Sequence, residues 1–214
     1  MKCFSINIIL FIFSSFTGLT QSFQYQTGDL LFQDLDCGDL CDAIECVTPQ
    51  VQGKHFSHVG MVYIVQDSVW VVEAIEKDVH LTPLNKFLQR QLDSNDHPKV
   101  IVGRLKKAYS DLNARAVAFA VMQHGKLYDN AFLQDNGKYY CSELVYEAYK
   151  EANQQRAFFN LYPMTFKDPA TGKTHPAWKS YFKELGMKVP EGKLGCNPGS
   201  IAISDAVEIV KSFY

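Results

Sequence analysis

The sequence predicts a single α+β domain behind a short apolar leader. Three observations carry this. β-rich runs crowd the first half, helical periodicity dominates the second, and no Pro/Gly/Ser-rich linker separates them. The chain has 214 residues, 47% of them apolar, enough for one well-filled core.

Residues 1–22 form the leader. Met1-Lys2 is a positive start, Phe4 to Phe16 is largely apolar, and Thr17 to Ser22 is small and polar. This pattern reads as a secretory signal peptide cleaved near Ser22, and its apolar stretch is short for a transmembrane span. Residues 23–214 are then the mature domain, exported to a periplasmic or extracellular space.

The mature chain opens with a turn at Thr27-Gly28-Asp29 and a short strand, Leu30-Leu31-Phe32. Residues 33–56 are polar, cysteine-bearing and irregular. Val59 to Val65 and Val69 to Ile75 are β-rich runs around Gln66-Asp67-Ser68, a hairpin pattern. Thr82-Pro83 then reads as the cap and first turn of a short helix, continued by Leu84, Phe87, Leu88 and Gln91. Val100 to Leu105 is a strand. Ser110-Asp111 caps a helix through Ala116, Ala120 and His124, closed by Gly125. A loop from Lys126 to Tyr140 leads to a helix over about 141–152, with Leu144, Val145, Ala148 and Tyr149 on its core face. Residues 153–175 are loop-rich, Pro176 to Leu185 is a short helix ended by Gly186, and a last helix is expected around Ser204 to Phe213.

A net charge of −2 and a pI near 6.3 give neither a nucleic-acid footprint nor a polybasic membrane patch. Of six cysteines, Cys3 lies in the leader. In an exported chain, Cys37, Cys41, Cys46 and Cys196 are candidate disulfide partners, leaving Cys141 as thiol. The pairing is not fixed by spacing. A rival reading makes Cys37, Cys41, Cys46, His55 and His58 zinc ligands, although C-x3-C and C-x4-C with H-x2-H depart from the usual zinc spacings.

Cys141 stands in Tyr139-Tyr140-Cys141-Ser142-Glu143-Leu144-Val145, at the predicted start of a helix. Unpaired N–H groups and the helix dipole favour thiolate there and can receive an oxyanion. Such a nucleophile needs an imidazole and a group to orient it. His58 opens an apolar strand and is the leading base, with His55 its rival. Glu73 interrupts the apolar run Val69-Trp70-Val71-Val72, and a carboxylate buried on a strand needs a partner. A turn at Asp67-Ser68 would set Glu73 opposite Val62 and leave His58 about 13 Å along the strand. Strong coiling or another register must close that gap.

Five motifs in order, Gly28-Asp29-Leu30, Ser57-His58-Val59-Gly60, Val72-Glu73-Ala74, Tyr128-Asp129 and Tyr140-Cys141-Ser142-Glu143-Leu144-Val145, resemble the YiiX/YaeF-type permuted papain-like amidases, relatives of NlpC-type cell-wall peptidases. The resemblance implies a circularly permuted papain-like fold, a small antiparallel sheet packed on helices. It implies Cys141 as nucleophile, His58 as base and Glu73 as orienter, with Tyr128 and Tyr140 at the oxyanion and substrate side. No cofactor or metal is implied. The expected substrate is a small peptide, amino-acid amide or cell-wall fragment. A lipid-acyl hydrolase or acyltransferase, with Phe158, Phe159, Tyr162 and Phe166 lining a groove, is the enzymatic alternative. A catalytically inactive binding scaffold is the other.

Overall fold

The computed structural model describes residues 23–214; the leader reading lies outside them. In chain order the elements are β1 (Leu30–Gln33), α1 (Asp39–Glu45), β2 (His58–Val65), β3 (Ser68–Ile75), β4 (Asp78–Pro83), α2 (Leu84–Gln89), β5 (Val100–Leu105), a 3-10 turn (Lys107–Leu112), α3 (Asn113–Met122), α4 (Cys141–Ala152), β6 (Tyr162–Pro163), α5 (Pro176–Glu184), β7 (Leu194–Gly195), α6 (Pro198–Ala202) and β8 (Val207–Ser212). The α+β class holds. Six strands form one antiparallel sheet in the order β4-β3-β2-β1-β5-β8.

Alternation along the strands sorts their side chains into two layers. Leu30, Phe32, Val59, Met61, Val72 and Ala74 meet the apolar faces of α3 and α4, where Ala116, Ala120, Leu144, Val145 and Tyr149 are buried. On the opposite face, Leu31, Val62, Val71 and Val102 pack around Phe87 of α2. The Gly28-Asp29 motif fastens β1 to this frame. Asp29 is fully buried and accepts two bonds from Arg104, 2.7 Å from Nε and 2.8 Å from Nη2. Gly28 has φ +92°, and a Cβ there would lie 2.5 Å from Asn113 Cγ, so glycine is required on both counts. The Tyr149 hydroxyl reaches both the Gly28 carbonyl and Asn113 Oδ1, tying α4 to this corner.

Four elements differ from the sequence expectation. The cysteine-rich stretch contains α1, entered through Gly38 and stapled by a Cys37–Cys41 disulfide. Thr82 and Pro83 end an additional sheet strand, β4, instead of capping a helix, because β4 pairs with β3 from Trp70↔Pro83 to Ile75↔Asp78. The helix expected from Ser110 is preceded by the 3-10 turn, and the Ser110 hydroxyl donates to the Lys107 carbonyl. The expected last helix is instead strand β8. Ser204 makes a turn, accepting the Val207 N–H on its carbonyl, and the β-branched Val207, Ile209 and Val210 then extend along the free edge of β5.

The hairpin register is the difference that matters for the site. The turn is Gln66-Asp67, with Gln66 at φ 52°, and Val65 pairs with Ser68, Val62 with Val71 and Met61 with Val72. Glu73 therefore comes beside Gly60, and His58 is only two residues farther along. That diagonal is about 7 Å, within reach of long side chains.

A candidate cysteine-hydrolase site

Glu73 is 0% exposed, at the meeting of β3, β4 and α2. Its Oε2 accepts from His58 Nε2 at 2.6 Å and from Arg90 Nη1 at 3.0 Å. Its Oε1 accepts from Thr82 Oγ1 and Arg90 Nη2, each at 2.5 Å. Both carboxylate oxygens are thus satisfied, as a buried charge requires. Gly60 makes the space. A Cβ there would lie 2.4 Å from Val71 Cγ1 and 3.3 Å from both Glu73 Cβ and Phe87 Cε2.

Burial favours the neutral acid of Glu73, but hydrogen bonds and charges from His58 and Arg90 outweigh it and bring the carboxyl down to about 2. The converse holds for His58. Burial disfavours imidazolium, yet the Cys141 thiol and the Glu73 carboxylate, as hydrogen-bond and charge partners, raise the ring to about 9. With Nε2 given to Glu73, Nδ1 is the nitrogen left for Cys141. The structure thus brings together the three residues singled out in the sequence, all buried and sharing one imidazole.

Cys141 is the first residue of α4, following an extended Tyr140. The helix start is held from both sides. Glu143 reaches back so that the Tyr140 N–H donates to its Oε2 at 3.3 Å, and Ser142 Oγ donates to the Cys196 carbonyl at 3.0 Å. Burial raises the Glu143 carboxyl to about 9, so it sits neutral beneath the helix start. The Tyr140 hydroxyl accepts from the Cys196 N–H (3.2 Å) and from Gln134 Nε2 (2.8 Å), bracing two loops. Tyr128 is anchored by its N–H to the Lys77 carbonyl, and both it and Tyr140 line a cavity beside Cys141. Burial first, then the nearby Cys141, push the Tyr128 phenol well above its ordinary value, so it stays a donor.

That cavity has a volume of about 380 Å³. Tyr162 and Phe166 contribute to its wall, whereas Phe158 stacks on Tyr149 and Phe159 meets Tyr149 edge-on. Cys196 also borders it, but burial pushes its thiol up to about 12. Cys196 and Cys46 are free, so the disulfide set expected from the sequence shrinks to Cys37–Cys41. Cys196 is instead fixed beneath Tyr140 by its own N–H.

The zinc reading does not fit the donors. Cys37 and Cys41 are bonded to each other, His58 is committed to Glu73, and His55 pairs with Gln50 at 2.7 Å. Among the described residues no group of three or more His, Cys, Asp or Glu side chains is placed to hold a metal ion. Sequence reasoning missed Arg90, Thr82 and Gln33, whose Oε1 accepts from Arg90. The available signal was the buried carboxylate itself, since it demands a cation and Arg90 follows later in the chain, capping the C-terminal end of α2.

This arrangement, an imidazole between a helix-start thiol and a buried carboxylate on an antiparallel sheet, defines a papain-like cysteine hydrolase architecture. Residues 24–211 match the permuted papain-like amidase family, YaeF/YiiX, C92, and the chain belongs to that family. It is 30% identical over 132 residues to the uncharacterized protein YiiX of Escherichia coli K12, covering 61% of this chain. The aligned part spans 60% of that relative's length. The fold is similar to the crystal structure of the metalloprotein YiiX of Escherichia coli O157:H7, with a TM-score of 0.70 at 22% identity, over 89% of this chain and 98% of that one.

Proposed function

We propose that this chain is an exported cysteine amidase working through Cys141, His58 and Glu73. The Cys141 thiol gives its proton to His58 as its sulfur attacks the acyl carbon of an amide, and a C–S bond forms as the carbonyl π pair moves to oxygen. The Cys141 N–H and the Tyr128 hydroxyl receive that oxyanion. Collapse breaks the C–N bond, and His58 delivers its proton to the departing amine. His58 then takes a proton from water as its oxygen attacks the thioester carbon; the C–S bond breaks, the acid leaves, and His58 returns the proton to the Cys141 sulfur. Glu73, fixed by Arg90 and Thr82, keeps the imidazole aimed and compensates its charge. The observation that carries this reading is the 2.6 Å bond from His58 to a fully buried Glu73, on a ring that also has Cys141 as partner.

Family membership supports a peptide-like amide substrate. Export rests on the leader pattern, and the Cys37–Cys41 disulfide suits an oxidising compartment. A cell-wall fragment accords with export and with the resemblance to NlpC-type enzymes. Cys141→Ala abolishes turnover of an activated amide or ester while leaving the thermal transition in place. Wild-type rates in that variant would refute the assignment.

A further inference from the structure

Among the described residues three cysteines are free, Cys46, Cys141 and Cys196. Cys141 and Cys196 line the same cavity, and Cys46 does not. The residues on either side of Cys141 hold Cys196 in place. Tyr140, before it, accepts the Cys196 N–H on its hydroxyl at 3.2 Å, and the same hydroxyl lies 3.9 Å from the Cys196 sulfur. Ser142, after it, donates to the Cys196 carbonyl at 3.0 Å. The N–H, carbonyl and sulfur of Cys196 are thus all gripped by the start of α4. A disulfide needs its two Cα atoms within about 7 Å, and Cys196 is the free cysteine packed against the turn that carries Cys141. The hydrolysis described above makes no use of this second thiol.

The two thiols differ in reactivity. Cys141 has His58 to take its proton, whereas burial keeps Cys196 protonated. A peroxide entering the cavity therefore meets Cys141 first. In an oxidising compartment an unprotected sulfenic acid advances to sulfinic acid, which is not recovered. A thiol held against it ends that course.

We propose that Cys196 is the resolving thiol for Cys141, and that the pair forms a reversible disulfide that locks the enzyme under peroxide. The Cys141 thiol gives its proton to His58 as its sulfur attacks one peroxide oxygen. The O–O bond breaks, an S–O bond forms, and the departing hydroxide takes that proton and leaves as water. Cys141 is now a sulfenic acid. The Cys196 sulfur attacks the Cys141 sulfur; the S–S bond forms, the S–O bond breaks, and hydroxide leaves with the Cys196 proton as a second water. Two thiols have given up two electrons, and one hydrogen peroxide has become two waters. A small dithiol reverses the bond by exchange. The disulfide stands independently of the hydrolytic reading; the lock rests on Cys141 being the nucleophile.

The test counts thiols on residues 23–214 by alkylation and intact mass, before and after hydrogen peroxide. The wild-type chain falls from three alkylatable thiols to one, Cys46, and a proteolytic digest joins the Cys141 peptide to the Cys196 peptide. Hydrolysis of an activated ester stops in step and returns with dithiothreitol, each rate being compared with an untreated sample given the same reductant. In Cys196→Ser, dimedone captures Cys141 as the sulfenic acid, the sulfinic acid follows, and activity does not return. Wild-type mapping decides the pairing alone if that variant fails to fold. Cys141 gaining oxygen while the Cys196 thiol survives, a bond to Cys46 instead, or equal recovery in Cys196→Ser overturns the resolving pair. A Cys141–Cys196 disulfide with hydrolysis undiminished overturns the lock and the nucleophile together, and leaves the pair standing.

Discussion

Replacing Glu73 by Gln removes one charge and almost no volume from the centre of the site, and its effect follows from the buried pair. The rise of His58 from 6.5 to about 9 corresponds to about 3 kcal/mol of preference for imidazolium in the folded state. The fall of Glu73 from 4.5 to about 2 has a similar size. The His58–Glu73 pair is common to both shifts, so they are not added; Cys141 also contributes to the first and Arg90 to the second. Because His58 binds its proton more tightly when folded, its contribution is complete below pH about 6.5 and is lost as pH climbs through about 9. Because Glu73 is more acidic when folded, its contribution is complete above pH about 4.5 and is lost as pH falls toward 2. Wild-type stability is therefore highest between these limits. Glu73→Gln leaves Arg90 and His58 facing a neutral amide, and with 2–4 °C per kcal/mol for a domain of this size, Tm near pH 5.5 falls by roughly 6–12 °C. The measurement is Tm against pH for both proteins by circular dichroism. The gap is widest between pH 4.5 and 6.5, closes as pH falls toward 2, and narrows as pH climbs through about 9 to the part that Arg90 maintains. Part of the His58 shift comes from Cys141 and persists in the variant. Two parallel curves with a constant gap would show that the pair is not what stabilises this corner.

Two other substitutions probe separate parts of the argument. Gly60→Ala places a methyl 2.4 Å from Val71 and 3.3 Å from the Glu73 stem. Stability drops by about 1–3 kcal/mol in urea unfolding, and hydrolysis falls with it because Glu73 is displaced. Tyr128→Phe deletes only the hydroxyl offered to the oxyanion. It lowers kcat by about 10²-fold with KM little changed, and a kcat equal to wild type assigns that oxyanion to backbone alone.

The chain announced its candidate nucleophile more clearly than the residues that would support it. Cys141 is legible because Leu144, Val145, Ala148 and Tyr149 fix the phase of α4, and α4 runs over Cys141–Ala152 as that phase requires. His58 and Glu73 are legible as a strand-opening imidazole and a carboxylate inside an apolar strand. Their register was not. The residue taking the left-handed turn conformation is Gln66, which carries no glycine or asparagine signature, so the hairpin was closed one residue late in expectation. Arg90 and Thr82 were hidden for a different reason. They reach Glu73 only because β4 pairs with β3, and Thr82-Pro83 resembles a helix start more than a strand end. β8 was misread because Ser204 mimics a helix cap. Only the open edge of β5 decides that Val207 to Ser212 extends. Local chemistry is written locally in this chain, whereas whatever depends on a neighbouring strand is not.

The hairpin places base and orienter on adjacent strands joined by a two-residue turn, while the thiol arrives on a helix from the second half of the chain. His58 and Glu73 can meet before α4 has docked; Cys141 cannot join them until it has. A chain clipped between α3 and α4 carries a paired imidazole and nothing for it to activate. The contact between thiol and imidazole on which the proposed hydrolysis depends is therefore the last this fold makes, and the first it loses when α4 loosens from the sheet.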